Sequence, residues 1–475
     1  MPWKVVIAGG GFGGFYAARE LERRLPEQSA LVTLVSDTNY LLFTPLMAGA
    51  AAATLEPRHV VVPLRKELKR TNILRGTVTA AVPDERRVQV RTETGDEELE
   101  YDHLIVALGS VSRTLPIPGL AEHGVGLKTL GEAIGLRNRV IRSLEVAENV
   151  EDPEERAAYL TFVFVGGGYA GLEALAELQD FAADVIHHYP RCRMAGMRWI
   201  LVEAQQRVMV EVPDALAAFA TRELRGRGVE VLTDTTVEEV TEATARLSTG
   251  EVVPTRMLVW TAGVRPAPVV QRLGLPVNDG GRIRVDAEMR VEGHDHEWAV
   301  GDAAAVPDPA KDGGQPCPPT AQHATRQGQR VGRNVAAVMG AQAGEPQPFR
   351  YKTRGVFVDM GRQRAVAQTM GIKWSGFPAF LLARAYYISE IPGLGRKLRL
   401  LTDWTVGMLF GRDSSELGQI GRARSLSQEM EAAETPEGEK KGEGESGGAE
   451  GVDGARESDE AGGNGAQVAG SRSAG

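Results

Sequence analysis

Short apolar runs that end in glycine set the rhythm of most of this chain. Val5 to Ala8 and Thr161 to Val165 have strand length and almost no polar interruption, and each passes straight into a glycine-rich turn. Those turns are Gly9-Gly10-Gly11-Phe12-Gly13-Gly14 and Gly166-Gly167-Gly168-Tyr169-Ala170-Gly171, with helical stretches opening at Phe12 and Tyr169. A second strand follows in each half, Leu31 to Val35 and Trp199 to Val202. A third apolar run closes each, Leu104 to Ala107 before Leu108-Gly109-Ser110 and Leu258-Val259-Trp260 before Thr261-Ala262-Gly263. Continuous apolar strands alternating with helices predict an α/β chain with parallel sheets. The glycine spacing predicts two Rossmann-like dinucleotide-binding domains, because the first glycine permits the tight turn, the second admits pyrophosphate and the third lets helix pack on strand. Phosphate would then meet the unpaired N–H groups of a helix N-terminus.

Pro-rich Leu115-Pro116-Ile117-Pro118-Gly119 marks a crossover, and Trp298-Ala299-Val300-Gly301-Asp302 reads as a strand returning to the first domain. The expected plan is one nucleotide domain inserted in another: 1–127 and 269–344 for FAD, 128–268 for NADH, 345–424 as a C-terminal region for membrane docking or dimer contact, and 425–475 as a disordered acidic tail. Glu203, ending the Trp199 strand, is the ribose ligand of the second site, and its charge favours NADH over NADPH, although nearby Arg207 is able to accommodate a 2′-phosphate. In the first site the carboxylate, Asp37, comes one residue later. Gly301-Asp302 places a carboxylate where ribityl hydroxyls would lie, which assigns FAD to the first site. The expected FAD contacts are Gly9, Gly11, Phe12, Gly14, Asp37, Gly109 and Asp302. Those for NADH are Gly166, Gly168, Gly171, Glu203 and Gly263.

Charge needs partitioning before it is interpreted. The 475-residue chain has a formal net charge of −9. From Gln428 onward there are twelve acidic against four basic side chains, so the body is near neutral and nucleic-acid binding gains no support. The tail is expected to be dispensable for chemistry. With only Cys192 and Cys317 there is no CxxC pair of the kind disulfide reductases use, and the thiol content suits a reducing compartment. No metal ligand set is assigned. Neither a signal peptide nor a run of 18 apolar residues is present, which predicts a cytoplasmic protein.

Several segments taken in order carry a family resemblance: Gly9 to Gly14 with Tyr16-Ala17-Ala18, Asn39 to Leu46, Gly166 to Gly171 with Leu172-Glu173, Thr261 to Arg265, Val300 to Ala303 and Thr320 to Ala324. Up to about residue 421 the chain resembles the type II NADH:quinone oxidoreductases, the alternative NADH dehydrogenases. That resemblance implies tightly held FAD, NADH as donor, a membrane quinone as acceptor and no proton pumping. The family's quinone pattern Ala-Gln-x-Ala-x-Gln maps onto Ala321, Gln322 and Ala324, but Arg326 stands at the second Gln and Gln327 follows it. Gln322, Gln327 and Arg354 are the quinone candidates, and Arg354 replaces a Lys of many relatives, so it cannot donate a proton. Glu173 and Gln322 are the candidates for direct chemistry, Glu173 to orient the donor or relay protons. The alternative to that role is that Glu173 is simply a favourable acid near a helix N-terminus. Cys317 falls just before the quinone segment and, without a partner thiol, is read as incidental.

A quinone tail lies in the bilayer, so residues 376–411 are read as the docking region. Phe377, Phe380, Leu381, Ile388 and Ile391 fall on one predicted helical face, and Leu398, Leu401, Trp404 and Met408 on another. Six basic residues between Lys373 and Arg412 face only Glu390 and Asp403. These observations predict a peripheral enzyme on the inner face of the cell membrane, with a homodimer through the same faces as the competing use. Three other activities fit parts of the pattern: a soluble flavin reductase serving a small iron–sulfur protein, a sulfide:quinone oxidoreductase using both cysteines, and an NADH-sensing flavoprotein scaffold.

Overall fold

The computed structural model describes residues 2–308, 315–341, 343–353 and 355–416. The expected acidic tail and Arg354 lie outside the described residues. Two five-stranded parallel sheets form the body. The first runs Glu297–Ala299, His103–Val106, Trp3–Ala8, Ala30–Ser36, Asn72–Arg75, and the second Gly124–Gly126, Met257–Trp260, Thr161–Val165, Arg198–Val202, Val229–Leu232. In both, the strand that feeds the glycine turn is central and the chain then crosses to opposite sides. The turns therefore emerge at a switch point, where open α/β sheets bind their ligands. The two sheets share a register: Gly9 N–H donates to Val35 O and Gly166 N–H to Val202 O, at 2.9 and 2.8 Å.

Glu297–Ala299 pairs with His103–Val106, so the chain does return to the first sheet. Gly124–Gly126 pairs with Met257–Trp260, so the second sheet begins slightly ahead of residue 128. Continuous apolar runs bury both faces: all five residues of Thr161–Val165 are buried, and Phe162 stacks on Trp199 at 4.4 Å. Each such side chain stabilises the fold by about 1.5–3 kcal/mol. Separate hydrophobic cores underlie the two sheets, one built on Ile7, Phe15 and Trp298, the other on Phe162, Phe164 and Phe181.

Three helices position the site: α1 (Phe12–Arg24), α2 (Tyr169–Val185) and α3 (Ala321–Val338). Helices α1 and α3 touch backbone to backbone. A Cβ on Gly328 would collide with Gly13 O, and one on Gly332 would stand 2.9 Å from Ala17 O. Contacts rise together along both helices, so they run parallel and α3 opens at the same end as the first glycine turn.

After the antiparallel sheet Gly355–Asp359, Ala365–Thr369 and Ile372–Gly376 come α4 (Phe377–Glu390) and α5 (Leu394–Phe410). The apolar face expected on α4 is divided. Phe380 and Ile391 turn into the interior, whereas Phe377 and Leu381 stay exposed. On α5, Leu398, Leu401 and Met408 are exposed as expected, joined by Leu394, Val406, Leu409 and Phe410, while Trp404 packs against the core. No helix among the described residues is long and apolar enough to cross a membrane.

Candidate functional site

Both glycine turns form the same cradle. Gly9 and Gly166 sit at φ +113° and +107°, backbone that favours glycine, and a Cβ on Gly14 or Gly171 would collide with the carbonyl of Gly9 or Gly166. Gly11 and Gly168 cap α1 and α2 without any side-chain cap, and a Cβ on either would meet nothing within 4 Å. Two helix N-termini therefore present uncapped N–H groups to open space, which fits a pyrophosphate at each. Phe12 begins α1 and lies 5.7 Å from the Phe43 ring.

The closing turns meet. Ser110–Ser112 pairs antiparallel with Val264–Pro266, joining the loops that carry Gly109 and Gly263, both at positive φ with open space beside them. Asp302 sits in the short turn Gly301–Ala303, where its Oδ2 accepts from Ser110 Oγ at 2.5 Å and lies 3.8 Å from Lys128 Nζ. Gln327 is 2% exposed and its Oε1 accepts from Gly301 N–H at 2.7 Å. This residue holds the Gly301-Asp302 turn in place, and the structure does not group it with Gln322.

Ribose positions differ between the cradles. Glu203 Oε2 accepts from Gly167 N–H at 2.6 Å and Oε1 from Gln205 N–H at 2.8 Å, which fixes the carboxylate beside the second turn. Arg207 spends its guanidinium on the carbonyls of Met209, Val210 and Val212. In the first cradle the place equivalent to Glu203 belongs to buried Ser36, against which a Cβ on Gly10 would collide. Asp37 follows it and is exposed, because the strand ends at Ser36 and the next side chain faces solvent.

Gln322, in the first turn of α3, donates from Nε2 to Gly355 O at 3.1 Å and accepts from Tyr351 OH at 2.9 Å. Beside it Arg326 pairs with Glu390 at 3.1 Å and lies 5.8 Å from the Tyr351 ring centroid. The charge that replaces the family's second Gln is thus neutralised from α4. Glu173 lies beyond the first turn of α2, too far along to act as a helix-end acid. Its Oε1 accepts from Asp359 N–H at 2.9 Å. Burial pushes its carboxyl up to about 8, aided by the charges of Asp359 and Glu177 and opposed by that N–H and by Arg384.

Sequence reasoning missed Tyr351, Asp359, Arg384 and Arg412 as neighbours of these groups. Arg384 is 2.9 Å from Asp359 and Arg412 is 2.7 Å from Asp180. Both had been counted as surface cations. The two cysteines belong to different cores: Cys192 donates to Leu144 O in the second, and Cys317 packs in the first beside Asp308 and His323. They do not form a pair, which removes the basis of the sulfide:quinone alternative.

A family described as pyridine nucleotide-disulphide oxidoreductase matches residues 3–328. The chain belongs to that family. It is 30% identical over 419 residues to a probable NADH dehydrogenase of Dictyostelium discoideum, covering 87% of this chain and 91% of the relative. With the demethylphylloquinone reductase NdbB of Synechocystis it is 30% identical over 413 residues, covering 84% and 95%. The type II NADH:quinone oxidoreductase Ndh of Mycobacterium tuberculosis is 29% identical over 430 residues, covering 88% and 89%. Among solved structures, NDH2 from Plasmodium falciparum in complex with NADH superposes with a TM-score of 0.82 at 19% identity, over 87% of this chain and 100% of that one. Within the family, these relatives and the shared motifs place the chain with the type II NADH:quinone oxidoreductases.

Proposed function

We propose that this chain oxidises NADH and reduces a membrane quinone through FAD, working at the inner membrane face without a spanning helix. One observation carries the reading: the Ser110–Ser112 and Val264–Pro266 ribbon ties together the closing turns of two cradles that each suit a dinucleotide. FAD, when bound, supplies the two-electron link between a hydride donor and a quinone.

The protein's part is placement. Uncapped N–H groups of α1 hold the FAD pyrophosphate, and Asp302, aligned by Ser110, takes the ribityl hydroxyls. Helix α2 receives the NADH pyrophosphate, and Glu203 takes the ribose and repels a 2′-phosphate. Because Arg207 is occupied by carbonyls, it offers that phosphate no partner. Gln322, aligned by Tyr351 and Gly355, presents its remaining amide hydrogen to a quinone oxygen, and Glu173 delivers a proton. The sections 1–127 and 269–344 serve FAD, and 128–268 serves NADH.

Exposed Leu394, Leu398, Leu401, Met408, Leu409 and Phe410 on α5, with Phe377 and Leu381 on α4, support docking to lipid. The cations beside them are Lys373, Arg396, Lys397 and Arg399, since Arg384 and Arg412 are taken up in ion pairs.

An anaerobic titration tests the chemistry. NADH should bleach the yellow protein and a quinone should restore the colour. Gln322→Ala should raise the quinone requirement and leave bleaching by NADH unaltered, whereas slowed bleaching would contradict the assignment. A preparation that takes up no flavin refutes the whole reading.

A further inference from the structure

Four carboxylates stand on α2 at i, i+4, i+7 and i+11: Glu173, Glu177, Asp180 and Asp184. That spacing keeps them along one helix face over about 16 Å, from near the glycine turn to the far end. The middle of the row is the most deeply buried, Glu173 at the glycine-turn end being half-buried and Asp184 at the other end open to solvent. Glu177 is 2% and Asp180 6% exposed, whereas the side chain of Asp184 is 49% exposed.

Partners reach this face from several other elements. Asp359 joins Glu173 through its N–H, and Arg384 of α4 bridges Asp359 at 2.9 Å and Glu177 at 4.0 Å. Arg412, just past α5, lies 3.6 Å from Glu177, 2.7 Å from Asp180 and 3.6 Å from Asp184. Thr54 donates to Glu177, and Arg362 pairs with Asp180. Tyr387 and His187 face the two ends, and Arg227 gives its N–H groups to the carbonyls of Ala176 and Met360. Among the described residues, five carboxylates therefore share three ion-paired guanidiniums, with Arg227 a fourth cation further off. A buried group with more carboxylates than cations keeps protons on some of them, because an unpaired charge out of water costs more than a protonated acid.

We propose that this acidic face carries protons from solvent to the flavin end of α2, entering at Asp184 and passing Asp180 and Glu177 to Glu173, with Arg412 holding the outer three in line. The inference rests on the proposed function, whose balance requires such a supply. NADH gives up one hydride, the quinone's two carbonyl oxygens become hydroxyls, and NADH + H⁺ + quinone yields NAD⁺ + quinol. One proton per turnover comes from solvent. Glu177, Asp180 and Asp184 act through Glu173 as positioning and relay residues. The same arrangement gives Arg412, two residues beyond Phe410, a part in the chemistry that its distance from the glycine turns conceals.

Two measurements test it on the FAD-loaded protein. Infrared difference spectra of the oxidised protein across pH should contain a protonated-carboxyl band that loses one component in Glu173→Gln and another in Glu177→Gln. In stopped flow, Asp180→Asn and Asp184→Asn should bleach with NADH as the parent does, yet recover colour with a water-soluble quinone about tenfold more slowly. The solvent deuterium effect on that step should rise, and a small weak acid such as formate should restore its rate. Unchanged recovery in both Asn variants overturns the route, as does a parent without the carboxyl band. Equal loss in both half-reactions with a lowered melting temperature overturns it too, as a purely structural role. A parent that bleaches with NADH but never recovers with quinone refutes the proposed function instead, and the carboxyl band is read independently of that result.

Discussion

Placing two acids on the exposed face of α5 tests the proposed membrane docking apart from catalysis. Leu398 is 57% and Phe410 82% exposed, so neither supports the core, and Leu398→Glu with Phe410→Glu leaves the fold intact. A fully buried side chain of this kind contributes about 1.5–3 kcal/mol. If lipid covers only the fraction now exposed, the pair contributes roughly 3 kcal/mol, before any repulsion of the new carboxylates from an anionic surface. That is a loss of more than about 100-fold in partition onto vesicles. Co-sedimentation with anionic vesicles measures it, alongside turnover with a short-chain quinone in solution and a long-tailed quinone in the vesicles. Binding and long-tail turnover should fall together, and solution turnover should hold. Added salt should weaken binding of the parent, through Lys373, Arg396, Lys397 and Arg399. A double variant that sediments as well as the parent refutes the docking face. If it instead converts a dimer to a monomer with vesicle binding intact, the face belongs to a second copy of the chain.

Other outcomes follow from the same geometry. Glu173 has a folded-state pKa of about 8 against 4.5 for the ordinary group, so the native state binds the extra proton between those values. Stability therefore falls as pH rises through that window, and Glu173→Gln should remove a penalty of a few kcal/mol, seen as a denaturation midpoint less sensitive to pH than the parent's. Identical slopes would refute the burial argument. Gly328→Val drives a side chain into Gly13 O, which cannot swing aside, and should cost about 1–3 kcal/mol and loosen FAD as α1 shifts. A variant with the parent's melting temperature and flavin content would contradict that close approach. Glu203→Ala should raise the NADPH-to-NADH ratio of kcat/KM about tenfold, equivalent to the loss of one charge-assisted contact. An unaltered ratio would remove Glu203 from the ribose site.

What could be read along the chain was whatever local order encodes. Strand, glycine turn and helix are contiguous, so both cradles and their closing turns at Gly109 and Gly263 were visible before any fold was known. The register of a strand end was less so: Asp37 looked like a ribose ligand, yet pairing with the central strand puts Ser36 beside the turn. Helix periodicity located α4 and α5 but not which side faced inward. Phe380 and Ile391 share the apolar character of Phe377, and only packing against Ala365, Ala367 and the first core separates them. Gln327 and Gln322 are one and a half turns apart on α3, so a motif count treats them alike while the helix sends them to different partners.

The misreading of Arg384 and Arg412 has the widest consequence. A charge sum over 373–412 treats each cation as equal and solvent-facing. Yet the carboxylates that claim these two, Asp359, Glu177 and Asp180, come from outside that segment and meet them only after the chain has folded. Moving two of the six cations from the surface into the protein weakens the electrostatic argument for the proposed docking and leaves the apolar residues of α5 as its main support. It also joins the C-terminal segment to the acidic face of α2. The residues just beyond the proposed membrane face are thereby the ones that decide how many protons that face holds, because removing the Arg412 guanidinium would leave Glu177, Asp180 and Asp184 with fewer positive charges than they now share.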